Sequence, residues 1–398
     1  MTGKRKRKLA MPDTLIIVAS VVLLVAILSW IIPSGTYDYQ EMNINGRIRN
    51  VAIDGTYHTI DKSEVTTTGF LGFFSVLYRG CVEAADVIFM ILCCCGTFGV
   101  VVKTGAFHAG IGTILKKLKG KEILLVPIIM MIFGLGGSVF GMASEFYGFY
   151  PLIVGLGVAL GYDAMFGFAI IAVGEFVGFM GATLNPYSVG IAQTISGVEL
   201  YSGTGYRAIC FVIFMAISII YVMVYGRKIK KNPGASVVFG EKNIHAFDRD
   251  ELNEYSFTLK DGLVLLDVLV VLVVLMLGLI KWGWDFPQLC GLFLLMSMIA
   301  AAICKWSPNK WCSEFIDSAK TAMWGCILTG IAKAITVVMQ DAQIMDTVIY
   351  GLSNVLKNAP HAVSAQVMLV VQTLINFFIP SATGQASATM PIMAQLAD

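Results

Sequence analysis

Of 398 residues, 57% are apolar and 14% charged, against roughly 45–50% and about 25% in soluble domains, so a water-soluble fold has no place for this much apolar surface. A formal net charge of +2 is too small to steer nucleic acid, and the basic residues sit in short clusters that report membrane orientation instead. Nine cysteines lie mostly inside apolar runs, with Cys93, Cys94 and Cys95 consecutive and no CxxC pair, so they read as small packing groups and not as a disulfide framework or a metal site.

In chain order, Lys4-Arg5-Lys6-Arg7-Lys8 precede an apolar run over 14–33. That run is too long for a signal core and has no small-residue cleavage site, which predicts a retained first helix. The loop 34–68 is polar and β-prone, without metal-ligand spacing. Runs near 81–103, 163–182, 206–225, 262–280, 288–304 and 321–339 are long enough to cross about 30 Å of hydrocarbon. Two further regions, 123–161 and 364–398, are apolar but broken by glycine, serine and polar residues.

Positive charge marks the cytoplasmic side. The basic amino terminus is placed inside, and two crossings return Lys103, Lys116, Lys117, Lys119 and Lys121 to the same side. If 123–161 enters and leaves on one side, the next crossings bring Arg227, Lys228, Lys230 and Lys231 inside as well; a straight double crossing gives the same parity. The hydrophilic stretch 227–260, with Lys242, His245, Asp248, Arg249, Asp250, Glu251 and Glu254, reads as a cytoplasmic linker. It separates a first repeat (1–226, hairpin near 123–161) from a second (261–398).

The halves align at a separation of about 234–243 residues. Val82-Glu83-Ala84-Ala85 matches Ile316-Asp317-Ser318-Ala319, Gly96 matches Gly330, and Thr104-Gly105-Ala106 lies opposite Gln340-Asp341-Ala342. Ser138 and Gly141 match Ser381 and Gly384 with the same internal spacing. Five crossings separate the two broken segments, an odd number, so the repeats are expected to be inverted, an architecture shared by many secondary transporters. The fold class expected is therefore all-α integral membrane, with inverted repeats, re-entrant helical hairpins and broken helices.

Gly134 to Glu145 is too flexible and polar for a lipid-facing helix, and irregular backbone is tolerated at membrane depth only beside protein or a water-filled cavity. A re-entrant hairpin meets that condition, and its tip offers backbone N–H groups to an anion. No Gly-Lys-Ser/Thr follows, so it is not a phosphate loop. Ser138, Gly141, Ser144 and Glu145 are the candidate contacts here, and Ser381, Thr383, Gly384 and Gln385 in the second segment. A third break, Gly181 to Gln193, carries Asn185-Pro186 and Ser188; proline removes a donor and frees a carbonyl, while Asn185 and Ser188 supply side-chain ligands. Charges inside the membrane are costly and mark function. Glu145, Glu175 and Asn185 are candidates for ion coupling, and Glu145 also for a substrate cation. Lys103 and Lys333 read as snorkelling or structurally paired, and Glu83 and Asp317 as fixing helix ends.

Four stretches carry a resemblance: Ile32-Pro33-Ser34-Gly35, Phe140-Gly141-Met142-Ala143-Ser144-Glu145, Asn185 to Gln193, and Phe378-Ile379-Pro380-Ser381 through Met390-Pro391-Ile392-Met393. With them the chain resembles the YfcC-like branch of the anaerobic C4-dicarboxylate carrier (DcuC-type) family, in the ion-transporter superfamily. The resemblance implies two hairpins, two broken helices, a midplane site, elevator-like alternating access and a homodimer in a bacterial plasma membrane. It also implies that relatives continue beyond Asp398, which makes the second repeat incomplete here. No cofactor or metal is expected; the coupling ion would be Na+ or H+. The expected activity is carriage or antiport of a small carboxylate-bearing solute. An amino acid such as arginine or ornithine is preferred, with its carboxylate on Ser381 and Thr383 and its cation on Glu145; a C4-dicarboxylate or short-chain acid is the alternative. From another class, a membrane scaffold or intramembrane enzyme competes. However, His58, His108, His245 and His361 fall in loops or at helix ends, no Ser/His or paired-Asp constellation appears, and no soluble output domain is present for a receptor.

Overall fold

The computed structural model describes residues 13–44, 47–118, 122–240, 257–357, 363–379 and 381–397. The basic cluster Lys4–Lys8, Lys119, Lys121, the linker residues Lys242 to Glu254, His361, Pro380 and Asp398 lie outside them. The described residues are mostly helical and form two compact units, one of 1–42, 48–85 and 324–398, the other of 43–47 and 86–323.

Among the described residues six helices are long and apolar enough to cross a membrane: α1 (Thr14–Ile31), α3 (Ala85–Lys103), α9 (Thr204–Lys231), α10 (Leu259–Lys281), α11 (Phe286–Ile303) and α13 (Met323–Asp341). Their starts follow ordinary capping chemistry. Asp13 accepts the Leu15 N–H at 2.8 Å, and Thr258 with Asp261, like Asp285 with Gln288, closes a capping box. The burial pattern is that of a lipid-solvated protein. On α9, Phe211, Met215, Val222 and Ile229 face protein, while Ile209, Ile213, Ile217, Ile220 and Val224 form an exposed apolar stripe at helical spacing. Water would penalise that stripe, and hydrocarbon does not. The protein is thus an all-α integral membrane protein, its β content confined to short loop strands.

In the larger unit, α5 (Leu125–Leu135), α6 (Tyr150–Ala159) and α7 (Ala164–Met180) pack through glycines. A Cβ on Gly174 would lie 2.9 Å from the Met130 carbonyl oxygen, one on Gly178 2.2 Å from that of Gly134, and one on Gly167 2.6 Å from the Val154 Cα. Small residues let backbones touch where no hydrophobic force separates helix from lipid. Residues 130, 134 and 138 pass 174, 178 and 183 in the same order, so α5 runs parallel to α7. Gly157 meets Gly167 whereas Tyr150 meets Glu175, so α6 runs back antiparallel. The segment 125–159 is a helical hairpin whose arms are shorter than the roughly 20 residues of a full crossing. Phe98, Met90, Met130, Phe166 and Phe293 form the fully buried centre of this unit.

The smaller unit carries β1 (Ser34–Thr36) paired antiparallel with β4 (His58–Ile60); between them in sequence, β2 (Tyr39–Ile44) pairs with β3 (Arg47–Ala52). These strands match the β-prone loop expected after the first helix. They are anchored on Asp346 of α14 (Met345–Lys357), which accepts from Tyr37 N and Thr36 Oγ1 at 3.1 Å and from Tyr39 Oη at 2.8 Å. Burial, followed by carboxylate charge, pushes the Tyr37 and Tyr39 phenols above the usual tyrosine range. A second hairpin, α15 (Ser364–Phe378) and α16 (Ala382–Ala397), packs on α14.

Helix order and length recur. The pairs are α2 (Phe70–Glu83) with α12 (Pro308–Lys320), α3 with α13, α4 (Ala106–Leu118) with α14, and α5 with α15; the paired starts lie 238 or 239 residues apart. Aligned by these boundaries, Gly96 falls opposite Ala334, whereas the residue matches taken from sequence set it opposite Gly330. The compact units also cut the chain elsewhere than the halves 1–226 and 261–398. In one unit α2 packs on α13, where a Cβ on Gly80 would lie 2.4 Å from the Gly330 oxygen and Arg79 pairs with Asp341. In the other α12 packs on α3, where a Cβ on Gly99 would meet Ser318 and Lys103 pairs with Glu314. The first helix of each series therefore packs on the second helix of the other.

Candidate functional site at the broken helices

The first hairpin turns through a wide helical turn, Gly136–Phe140, closed by Gly141 in the left-handed region at φ 68°. A tight helical run, Ser144–Phe149, then leads into α6. Beside it α7 breaks at Gly181 and restarts as a wide turn Pro186–Gly190 followed by α8 (Ile191–Ile195). Two breaks in apolar surroundings leave unpaired backbone groups, and here each break satisfies the other. The Ser138 carbonyl accepts Thr183 N at 2.9 Å and Leu184 N at 3.2 Å. Ser138 Oγ donates to the Gly181 carbonyl at 2.9 Å and lies 3.0 Å from Thr183 Oγ1. Asn185 Nδ2 donates to the Gly137 carbonyl at 3.0 Å.

Asn185 is fully buried and caps the restarted helix, its Oδ1 accepting Tyr187 N at 2.9 Å and Ser188 N at 3.2 Å. Its groups are thus committed to joining the two breaks. Pro186 occupies the first helical position, where its missing N–H costs nothing. Gly141 must stay bare, since a Cβ there would lie 2.7 Å from Asn185 Oδ1. Ser188 Oγ is buried and has no partner among the described residues.

Glu145 folds back on the tip, its Oε2 accepting the Ala143 N–H at 2.9 Å. The tip N–H is thereby taken by a carboxyl group of the chain itself. One turn into α7's packing with α6, Glu175 Oε2 accepts Tyr150 Oη at 3.1 Å. Both carboxylates are buried, and neither meets a cationic side chain among the described residues. Ser144 begins the tight run beside Glu145 and is half-buried.

Ser381, Thr383, Gly384 and Gln385 belong to the other compact unit. Ser381 is exposed, and its Oγ accepts Gly384 N at 3.2 Å. Gln385 is occupied within its own hairpin: Nε2 donates to the Gln372 carbonyl at 2.8 Å, and Oε1 accepts from Asn376 Nδ2 at 2.9 Å. Thr389 extends this ladder to Gln372. Glu83 is exposed at the end of α2, and Asp317 pairs with Lys320 at 2.8 Å, which holds its carboxyl below the usual range.

Sequence reasoning missed Arg207 in the first turn of α9. It donates to the Thr183 carbonyl at 3.1 Å and the Ser202 carbonyl at 2.7 Å, pinning the break. Its signal was a lone arginine entering an apolar run. A separate cavity of about 190 Å³, lined by Tyr162, Asp163, Lys230, Ser236 and Phe239, lies at the opposite end of α7, where Asp163 accepts from Tyr225 Oη and Ser236 Oγ, each at 2.6 Å.

The family pattern of the C4-dicarboxylate anaerobic carriers (DcuC) matches residues 11–398. The chain belongs to this carrier family. It is 31% identical over its full length to 85% of a protein of Escherichia coli (strain K12), YfcC, provisionally named a basic amino acid antiporter. It is also 28% identical, again over its full length, to 86% of an uncharacterised protein of Haemophilus influenzae. Two solved transporters show a looser likeness. The Alcanivorax borkumensis YdaH transporter has a TM-score of 0.43 at 13% identity, covering 97% of this chain and 83% of that one. Neisseria gonorrhoeae MtrF, described with a class of antimetabolite efflux pumps, has a TM-score of 0.46 at 16% identity, covering 98% and 82%. This carrier is a multi-pass membrane transporter.

Proposed function

We propose that the chain is a secondary carrier or antiporter of a small carboxylate-bearing solute, and that the solute is a basic amino acid such as arginine or ornithine. The observation that carries the reading is the pair of buried carboxylates, Glu145 and Glu175, with no cation from the described residues to offset them. Uncompensated charge in such surroundings is costly, and a cationic solute supplies the missing partner through charge-assisted hydrogen bonds. The name carried by YfcC points the same way. A C4-dicarboxylate is the second reading, favoured by the family description; it requires Glu145 to be protonated, because two like charges would otherwise share a medium less polar than water.

The carrier of this proposal sits in a bacterial inner membrane as a homodimer, amino terminus inside, with Na+ or H+ as coupling ion when it does not exchange solutes. Its two helix series are inverted repeats related by the odd number of crossings between the hairpins. A cysteine at Lys119 is expected to be labelled only from the cytoplasm and one at Lys357 only from outside; labelling of both from one face rejects the inverted arrangement. For the solute, arginine, ornithine and succinate are titrated onto wild type and Glu145→Gln from mildly acidic to mildly alkaline pH. Loss of basic amino-acid binding alone in the variant is the expected result. Succinate binding that weakens as pH rises, without any arginine binding, selects the second reading.

A further inference from the structure

Three sulfur atoms converge between α3 and α11. On α3, Met90 and Cys93 are three residues apart and share a helix face, and Cys94 follows beside them, fully buried. From α11, Cys290 directs its Sγ at Met90 Sδ across 3.7 Å. Cys93, on the same face as Met90, is a neighbour of Cys290 across the same helix contact. Both are half-buried. No trio of histidine, cysteine, aspartate or glutamate gathers anywhere among the described residues; the thioether of Met90 supplies the third donor here.

Two thiols and a thioether form a donor set with a definite preference. Hard divalent cations want oxygen, and zinc sites are built from thiolate, imidazole and carboxylate, whereas thioether with thiolate selects a soft monovalent ion. We propose that Met90, Cys93 and Cys290 form a binding site for Cu(I) or Ag(I), chemically distinct from the oxygen-lined hairpin tip. On binding, one thiol releases its proton to solvent and the resulting thiolate offsets the charge of the ion, with no change of oxidation state. The site stands whatever solute the carrier moves.

The test uses the purified full chain, kept reduced and anaerobic, with Cu(I) supplied as its bicinchoninate complex. Wild type is expected to withdraw Cu(I) from the chelator. Cys93→Ser/Cys290→Ser is expected to lose that uptake, and Cys312→Ser, which removes an exposed thiol, to keep it. Copper-edge X-ray absorption of the loaded protein should show three sulfur neighbours. Absence of uptake by wild type, or equal uptake by the double variant, overturns the proposal. Should the double variant fail to fold, Met90→Leu decides, since it conserves core volume: weakened uptake at an unchanged unfolding midpoint supports the site, and undiminished uptake overturns it.

Discussion

The two hairpins carry the same Ser-x-x-Gly spacing, Ser138 to Gly141 and Ser381 to Gly384, but their tips are built differently. In the first, Ser138 is fully buried, the helix widens, and the backbone turns left-handed at Gly141. Its free carbonyls are taken by Thr183, Leu184 and Asn185 of the neighbouring break. In the second, Ser381 is exposed and α16 runs straight through Gly384, with the polar bonds turned inward along the Gln372-Asn376-Gln385-Thr389 ladder. Among the described residues no broken helix reaches 381–384. The same local motif is therefore met by different bonding partners in the two hairpins.

The strongest way to break this comparison is the paired glycine substitution. Gly141→Ala is expected to destabilise by about 3 kcal/mol, from left-handed strain plus overpacking against Asn185. At Gly384 a Cβ meets nothing closer than 3.4 Å, so Gly384→Ala should be neutral or stabilise by up to about 1 kcal/mol. Unfolding midpoints in detergent read both; two losses of similar size would mean that the tips are alike.

Asn185→Ala leaves the Gly137 carbonyl and two N–H groups unpaired and should cost about 2 kcal/mol, while Ser381→Ala should stay within about 0.5 kcal/mol. Equal losses would place Ser381 in a buried network that the structure does not show. Gln385→Leu sharpens the contrast from the other side: it strips the inward ladder and should cost about 1–2 kcal/mol, whereas Ser144→Ala at the first tip should cost less than about 0.5 kcal/mol, by the same thermal measurement.

The smallest effect concerns α14, on which the second hairpin packs. Tyr37 and Tyr39 are held neutral above the usual tyrosine range by burial and then by carboxylate charge. A raised value means that their contribution to stability is complete below about pH 10 and is lost as pH rises beyond it. Alkaline titration of tyrosinate absorbance should show late-ionising phenols in wild type, and Asp346→Asn should bring Tyr39 towards the ordinary value. An unchanged titration in the variant would remove Asp346 from the anchoring of this loop.

Composition and hydropathy alone determined the class, because a lipid-solvated surface must be written into the sequence as long apolar runs. The runs 14–33, 81–103, 288–304 and 321–339 became α1, α3, α11 and α13 with boundaries shifted by only a few residues. Glycine and proline marked the three irregular regions for the same reason, since helix breaks at membrane depth need special residues. Tertiary structure alone decided what the polar groups at those breaks do. Asn185 caps and clamps, Glu145 closes back on its own tip, Gln385 is spent inside its hairpin, and Arg207 pins Thr183. Each of these is one of several hydrogen bonds open to a flexible side chain, and for Asn185 and Arg207 the choice falls to partners 48 and 24 residues away. The pairing of α2 with α13 and of α12 with α3 was hidden likewise, because small residues suited to close packing recur on many helices and only the assembled fold selects which ones meet.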